Sequence, residues 1–111
     1  LSIYGLAETA HEIAATECKL KFVSEAFGDR AYAPNGSLVA RSTNGAVISN
    51  PKVALNRVLG IINDKTISAL DSTMIPVNAQ TICFHSDTEA CLDMLELISL
   101  HLKKNKIQLG L

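Results

Sequence analysis

The chain has 111 residues, 48% hydrophobic and 19% charged, with 10 lysines and arginines against 11 acids for a formal net charge of −1. That length fits one domain with a real core, and the composition excludes intrinsic disorder. The near-neutral charge supplies no long-range attraction for nucleic acid or anionic lipid, and no apolar run approaches the ~18 residues of a membrane span, so neither is expected as a partner.

Taken in chain order, the apolar run 1–6 predicts a strand, and it lacks the charged n-region of a signal peptide. Residues 7–18 predict a helix with Ala7, Ala10, Ala14 and Cys18 at helical spacing. Residues 20–27 predict a second strand, with Phe22 and Val23 inside it and Glu25 near its end. The next stretch, 28–49, is long for a strand-to-helix connection, which usually takes about 2–6 residues. Asn35-Gly36 signals a type I′ hairpin that would fold residues 31–34 back on 37–41, and Asn44-Gly45 marks a second turn, so the stretch reads as a structured flap. Asn50 as N-cap and Pro51 at the first helical position open a helix with Leu55, Val58, Leu59 and Ile62 on one stripe.

Residues 66–70 predict a short strand. Residues 71–80 predict irregular chain, because Pro76 cannot sit in a central strand. Residues 81–85 predict a compact buried strand. The last helix is expected from Ser86 to about Lys104, with Ser86 and Glu89 as a capping box. Cys91, Leu95, Ile98 and Leu102 form its core stripe, and Lys103, Lys104 and Lys106 lie near its C-terminus, where the helix dipole favours cations. Residues 107–111 are expected as a final short strand or a tail.

Strand–helix alternation predicts an α/β fold with mostly parallel strands. A βαβ unit needs about 30 residues and a closed eight-fold barrel about 250, so three or four units fit, as a small open sheet or as part of a larger barrel. Exposed sheet edges on such a piece imply another polypeptide completing the barrel, a homo-oligomer, or marginal stability. Cys18, Cys83 and Cys91 are odd in number and widely spaced, with no CxxC pair; they read as reduced, buried thiols of a cytoplasmic protein.

Three places carry candidate chemistry. The flap bears Asp29, Arg30, Tyr32 and Arg41, and two arginines beside a sheet mouth are suited to clamp a carboxylate or phosphate bidentately. The competing reading is solvated loop charge, with Arg30 pairing Asp29 or Glu25. His85 ends an apolar strand, at the edge where parallel α/β folds bind ligands. There it is a candidate general acid/base or metal ligand, with Asp87 orienting its imidazole, against the alternative of a satisfied core histidine beside a first-turn acid. Glu25 faces the same mouth as a candidate base or ligand, or is an ordinary outward residue. His11 and His101 read as surface or edge residues. No Walker loop, GxGxxG fingerprint or serine nucleophile elbow is present.

At these residues the sequence resembles a known family. Glu25-Ala26-Phe27-Gly28-Asp29-Arg30-Ala31-Tyr32, then Asn35-Gly36-Ser37-Leu38-Val39-Ala40-Arg41 and Gly45-Ala46-Val47-Ile48, are similar to the E-x-F-A-D-R-x-Y, D-G-x-L-V-x-R and G-A-x-I of the LamB/YcsF family. Thr81-Ile82-Cys83-Phe84-His85-Ser86-Asp87-Thr88 is similar to its T-x-C-x-H-G-D-T. The resemblance covers nearly the whole chain. It implies a 5-oxoprolinase A subunit, which opens 5-oxoproline (pyroglutamate) to L-glutamate with ATP, and Mg2+ expected, together with subunits B and C.

The resemblance also implies a distorted β/α barrel of the glycoside hydrolase/deacetylase type. This chain, 1–111, would match its C-terminal part, since the family's D-x-N-x-D-x-G-E-G, C-G-x-H-A-G-D and K-P-H-G-A-L-Y motifs are absent. In that setting Glu25, His85 and Asp87 are the catalytic candidates and Arg30 and Arg41 the substrate-binding ones. A truncated, non-catalytic assembly module and a metal-dependent deacetylase-like hydrolase are the alternatives. Two departures stand out. Gly28 replaces Ala, expected as a mild change, and Ser86 replaces Gly, which would strain the turn if that position requires φ > 0.

Overall fold

The computed structural model describes residues 1–110. Strand β1 (Ser2–Gly5) leads through α1 (Ala10–Glu17) to β2 (Lys21–Phe27). After the flap come α2 (Pro51–Leu59) and a wide helical turn, Gly60–Asp64. A ribbon of β3 (Thr66–Ser68) and β4 (Met74–Pro76) follows, then β5 (Thr81–Cys83) and α3 (Cys91–Lys104). The main sheet has order β1-β2-β5, all parallel, so the α/β class and parallel strands read from the sequence are present. No strand follows α3 among the described residues, and Leu111 of the expected tail lies outside them.

Register places the side chains. Glu25 pairs with Thr81, Ala26 with Ile82 and Phe27 with Cys83. Side chains alternate across a strand, so Glu25 and Phe27 share a face with Thr81 and Cys83, while Ala26 shares the opposite face with Ile82. Helices cover the second face: Ala54 and Val58 of α2 pack with Cys91, Met94, Ile98 and Leu102 of α3, with Ile82 and Phe84 against them. A second cluster of Ala26, Tyr32, Ile61 and Ile67 seats the flap and the ribbon on the same body.

Several local expectations are corrected. Helix α1 starts at Ala10, because Glu8 is left-handed (φ 59°) and Thr9 is extended, its hydroxyl donating to Leu6 O at 2.7 Å. Its buried residue is Ala15, whereas Ala7, Ala10, Ala14 and Cys18 are exposed. A run of small side chains gives a weak facial signal. Cys18 is therefore not a buried thiol, and Cys83 is half-buried.

In the flap the reversal is not type I′. Gly36 N donates to Ala33 O at 2.9 Å and Ala33 N to Ser37 O at 2.8 Å, and within residues 33–37 positive φ belongs to Gly36 (+85°) and not to Asn35. Pro34 presets a type I turn and Gly36 supplies the left-handed residue that follows it. The hairpin itself forms as expected, with Tyr32 bridged to Leu38. Pro76 is accommodated in β4 because a two-stranded ribbon has only edge strands.

The Asn50 cap is as read: its side chain accepts from Lys52 N (3.0 Å) and Val53 N (3.2 Å). Helix α3 begins five residues later than expected, at Cys91, with no side-chain cap. Thr88 N donates to His85 O and Cys91 N to Thr88 O, both at 3.1 Å, so tight turns occupy the place of the first helical turn. On its inner face Met94 is fully buried, whereas Leu95 is 40% exposed.

Candidate functional site

Two residues beyond the paired ends of β2 and β5, the same register brings Asp29 opposite His85. The ladder continues past Phe27–Cys83 through Gly28 N to Cys83 O at 2.9 Å. Alternation then puts Asp29 and His85 on the face of Phe27 and Cys83. Asp29 Oδ1 lies 2.9 Å from His85 Nδ1, and Asp29 Oδ2 accepts from His85 N at 2.7 Å and from Thr88 Oγ1 at 2.8 Å. Asp29 is completely buried, Thr88 is 7% exposed, and the His85 side chain keeps 25% of its surface. The Phe27 ring stacks on the imidazole, 5.4 Å between centroids and 11° from parallel.

The electrostatics follow from these contacts. Burial pushes the Asp29 carboxyl upward, but the His85 backbone N–H, the imidazole and the Thr88 hydroxyl together hold it below its ordinary value. An ionised carboxylate only accepts, so the imidazole meets it through Nδ1–H, with Nε2 on the far side of the ring. Asp29 thus fixes both the orientation and the tautomer of His85, as the acid of an Asp–His pair does in acyl-transfer enzymes. On the same face the Cys83 thiol is pushed up by burial and by the neighbouring Glu25 and Asp29 carboxylates, which suppresses thiolate chemistry.

The flap is locked above this pair. Ile48 N donates to Asp29 O at 2.9 Å and Ala31 N to Ala46 O at 2.8 Å. Tyr32 Oη accepts from Phe27 N at 2.9 Å, and burial raises its pKa. Arg57 of α2 lies 5.6 Å over the Tyr32 ring and donates to Arg30 O at 2.8 Å and Ser68 O at 3.1 Å, tying helix, flap and ribbon together.

The expected site residues are only partly gathered. His85 sits at the sheet mouth as read. Glu25 is half-buried on the same face and lines an open cavity of about 940 Å³ between flap and ribbon and a smaller one of about 410 Å³ beside Phe27; neither is lined by His85, Arg30 or Arg41. Arg30 is only 8% exposed and pairs with neither Asp29 nor Glu25; its Nη2 donates to Val39 O at 2.8 Å, and its buried Nε has no partner. Arg41 and Asp87 approach each other at 4.0 Å in solvent, with side chains 50% and 76% exposed.

Asp87 therefore does not orient His85. Asp29 occupies that role, and Thr88 supports it. Both stand inside the quoted motifs. The signal that finds Asp29 is positional: it is two residues beyond one parallel strand as His85 is two beyond its neighbour.

A scan against family models matches residues 1–110 to the LamB/YcsF family. The chain belongs to the LamB/YcsF family. Among curated relatives, the 5-oxoprolinase A subunit of Haemophilus influenzae (strain PittGG) is 38% identical over 109 residues, covering 98% of this chain and 44% of that protein. The corresponding protein of Bacillus cytotoxicus is 40% identical over 98 residues, 88% of this chain and 39% of that protein. A crystal structure of the lactam utilization protein from Thermus thermophilus superposes with a TM-score of 0.85 at 30% identity, covering 96% of this chain and 42% of that one. The chain thus spans less than half the length of the relatives it matches.

Both departures from the family pattern have a structural account. A Cβ on Gly28 would lie 2.2 Å from the tip of the Phe84 ring, so an alanine here would force that ring to shift, and the glycine goes with the large neighbour. Ser86 is not among the residues with positive φ, so it carries no left-handed strain.

Proposed function

We propose that this chain is the C-terminal part of a cytoplasmic barrel like that of the 5-oxoprolinase A subunit, of the glycoside hydrolase/deacetylase type, and that Asp29 and His85 move the proton when 5-oxoproline is opened to L-glutamate. The observation that carries the proposal is the 2.9 Å Asp29–His85 contact at the carboxyl ends of two parallel strands. The helices on one sheet face and the polar opposite face, with Glu25, Cys83 and His85, favour a barrel wall whose inner surface holds the chemistry.

In this reading His85 Nε2 accepts a proton from water as the water oxygen bonds to the lactam carbonyl carbon. It returns the proton to the ring nitrogen as the C–N bond breaks, yielding a carboxylate and an amine. Asp29 stabilises the imidazolium in between without itself taking the proton. Phe27 keeps the ring in plane and shields one side from water. Glu25, lining the adjoining cavities, is the candidate acceptor for a substrate N–H or a second base. Arg41 is the candidate for the substrate carboxylate, since Arg30 is held inside the flap.

ATP with Mg2+ would activate the resonance-stabilised amide. The described residues contain no group of three or more His, Cys, Asp or Glu placed for a metal, and both Asp29 oxygens are engaged by protein donors. Nucleotide handling falls in this reading to the remainder of the protein and to subunits B and C.

The test is glutamate release from 5-oxoproline and ATP by the full-length protein with subunits B and C present. His85→Ala should lower the rate by about 10²-fold or more. An unchanged rate overturns the assignment.

A further inference from the structure

Building on that reading, we infer that Thr88 is a positioning residue for the pair: its hydroxyl holds the Asp29 carboxylate in the one rotation that lets Oδ1 meet His85 Nδ1. A carboxylate turns about its last bond with little resistance; the backbone N and the Nδ1 of His85 each meet one of its oxygens, and the Thr88 hydroxyl ties it to a second residue. Here Oδ2 is held twice, by His85 N at 2.7 Å and by Thr88 Oγ1 at 2.8 Å, which leaves Oδ1 aimed at the imidazole.

Thr88 is itself pinned on both sides. Its N–H donates to His85 O and its carbonyl accepts from Cys91 N, both at 3.1 Å, and it is only 7% exposed. Helix α3 starts behind Ala90, which is left-handed (φ 58°) and has no capping group, although a threonine stands just upstream. The turn forgoes an ordinary side-chain cap and directs that hydroxyl at a buried acid just beyond the end of β2. This arrangement serves Asp29, and through it the ring that Asp29 orients. The titratable neighbours of Asp29 are His85 and, from the end of β5, Cys83; the imidazole is engaged with Oδ1, so the side-chain donor to Oδ2 is the Thr88 hydroxyl.

The experiment uses the full-length protein with its partner subunits and compares Thr88→Val, which keeps the shape and loses the hydroxyl, with Thr88→Ser, which keeps the hydroxyl. Glutamate release should fall about tenfold in kcat for the valine variant, with KM nearly unchanged, and stay near wild type for serine. In protein labelled with 15N-histidine, the His85 Nδ1–H resonance should be present in wild type and Thr88→Ser and broadened or lost in Thr88→Val.

A Thr88→Val enzyme with wild-type kcat and an intact Nδ1–H signal overturns the inference. So does a serine variant as impaired as the valine one, because packing rather than the hydroxyl would then be responsible. Should the valine variant fail to fold, Thr88→Cys, with only a weak thiol donor, replaces it with the same expectations. A wild-type rate in His85→Ala sinks the underlying reading; loss in His85→Ala with no change in Thr88→Val sinks the role of Thr88 alone.

Discussion

The segment that follows β2 touches the turn after β5 at two places. At Asp29–His85–Thr88 the acid is fully buried, three donors converge on its two oxygens within 2.9 Å, and an aromatic ring stacks on the histidine. At Arg41–Asp87 two charged side chains stand 4.0 Å apart, each at least half exposed. Both junctions bring an acid to a basic side chain, yet only the first fixes geometry. Water competes for the second, screens it and leaves both side chains many rotamers. A candidate site is therefore better sought where charge is buried and fully bonded than where opposite charges merely lie close.

That contrast can be broken in graded steps. Asp29→Asn keeps the shape but turns an amide N–H₂ toward groups that are themselves donors. It should cost about 3 kcal/mol of stability, read by urea unfolding at neutral pH; a loss under about 0.5 kcal/mol would remove the distinction between the junctions. Gly28→Ala should cost about 1–3 kcal/mol, because its Cβ meets the Phe84 ring at 2.2 Å. Adding Phe84→Leu should recover much of that loss, and purely additive effects in this double-mutant cycle would refute the steric account.

The pH dependence has a defined sign. Asp29 is held below its ordinary value of 3.8 in the folded state. Its contribution is therefore fully present above that value and is lost as pH falls through the lower folded one. The stability gap between wild type and Asp29→Asn should stay constant at neutral pH and narrow in acid below about pH 4; a gap that widens in acid contradicts the assignment. The smallest effect belongs to the surface pair. Asp87→Ala should change stability by about 0.5 kcal/mol or less and lose even that in high salt.

What is legible in the sequence follows the range of the forces involved. The parallel strands, the Asn50 cap and the two turns of the flap are written in short patterns and form where those patterns place them. The start of α3 is not legible, because the Ser86–Glu89 box is a local signal and the turn is organised instead around a bond from Thr88 to an acid 59 positions earlier. Asp87 suggests itself as the partner of His85 because it is near in sequence; Asp29, 56 positions away, is near in space because two parallel strands stand in register. Arg30 suggests a ligand clamp by its charge, yet its guanidinium reaches back to Val39 O inside the flap. The turn at Asn35-Gly36 differs in type from its dipeptide signal because Pro34, one residue earlier, fixes the backbone first.

That Asp29 and His85 act as one unit is tested most directly by a double-mutant cycle on glutamate release in the full-length protein with its partners. Asp29→Asn and His85→Ala together should be no slower than His85→Ala alone, because the acid acts only through the ring. Losses that multiply would mean that the two residues work independently, and the proposed pair would be no more than a structural contact.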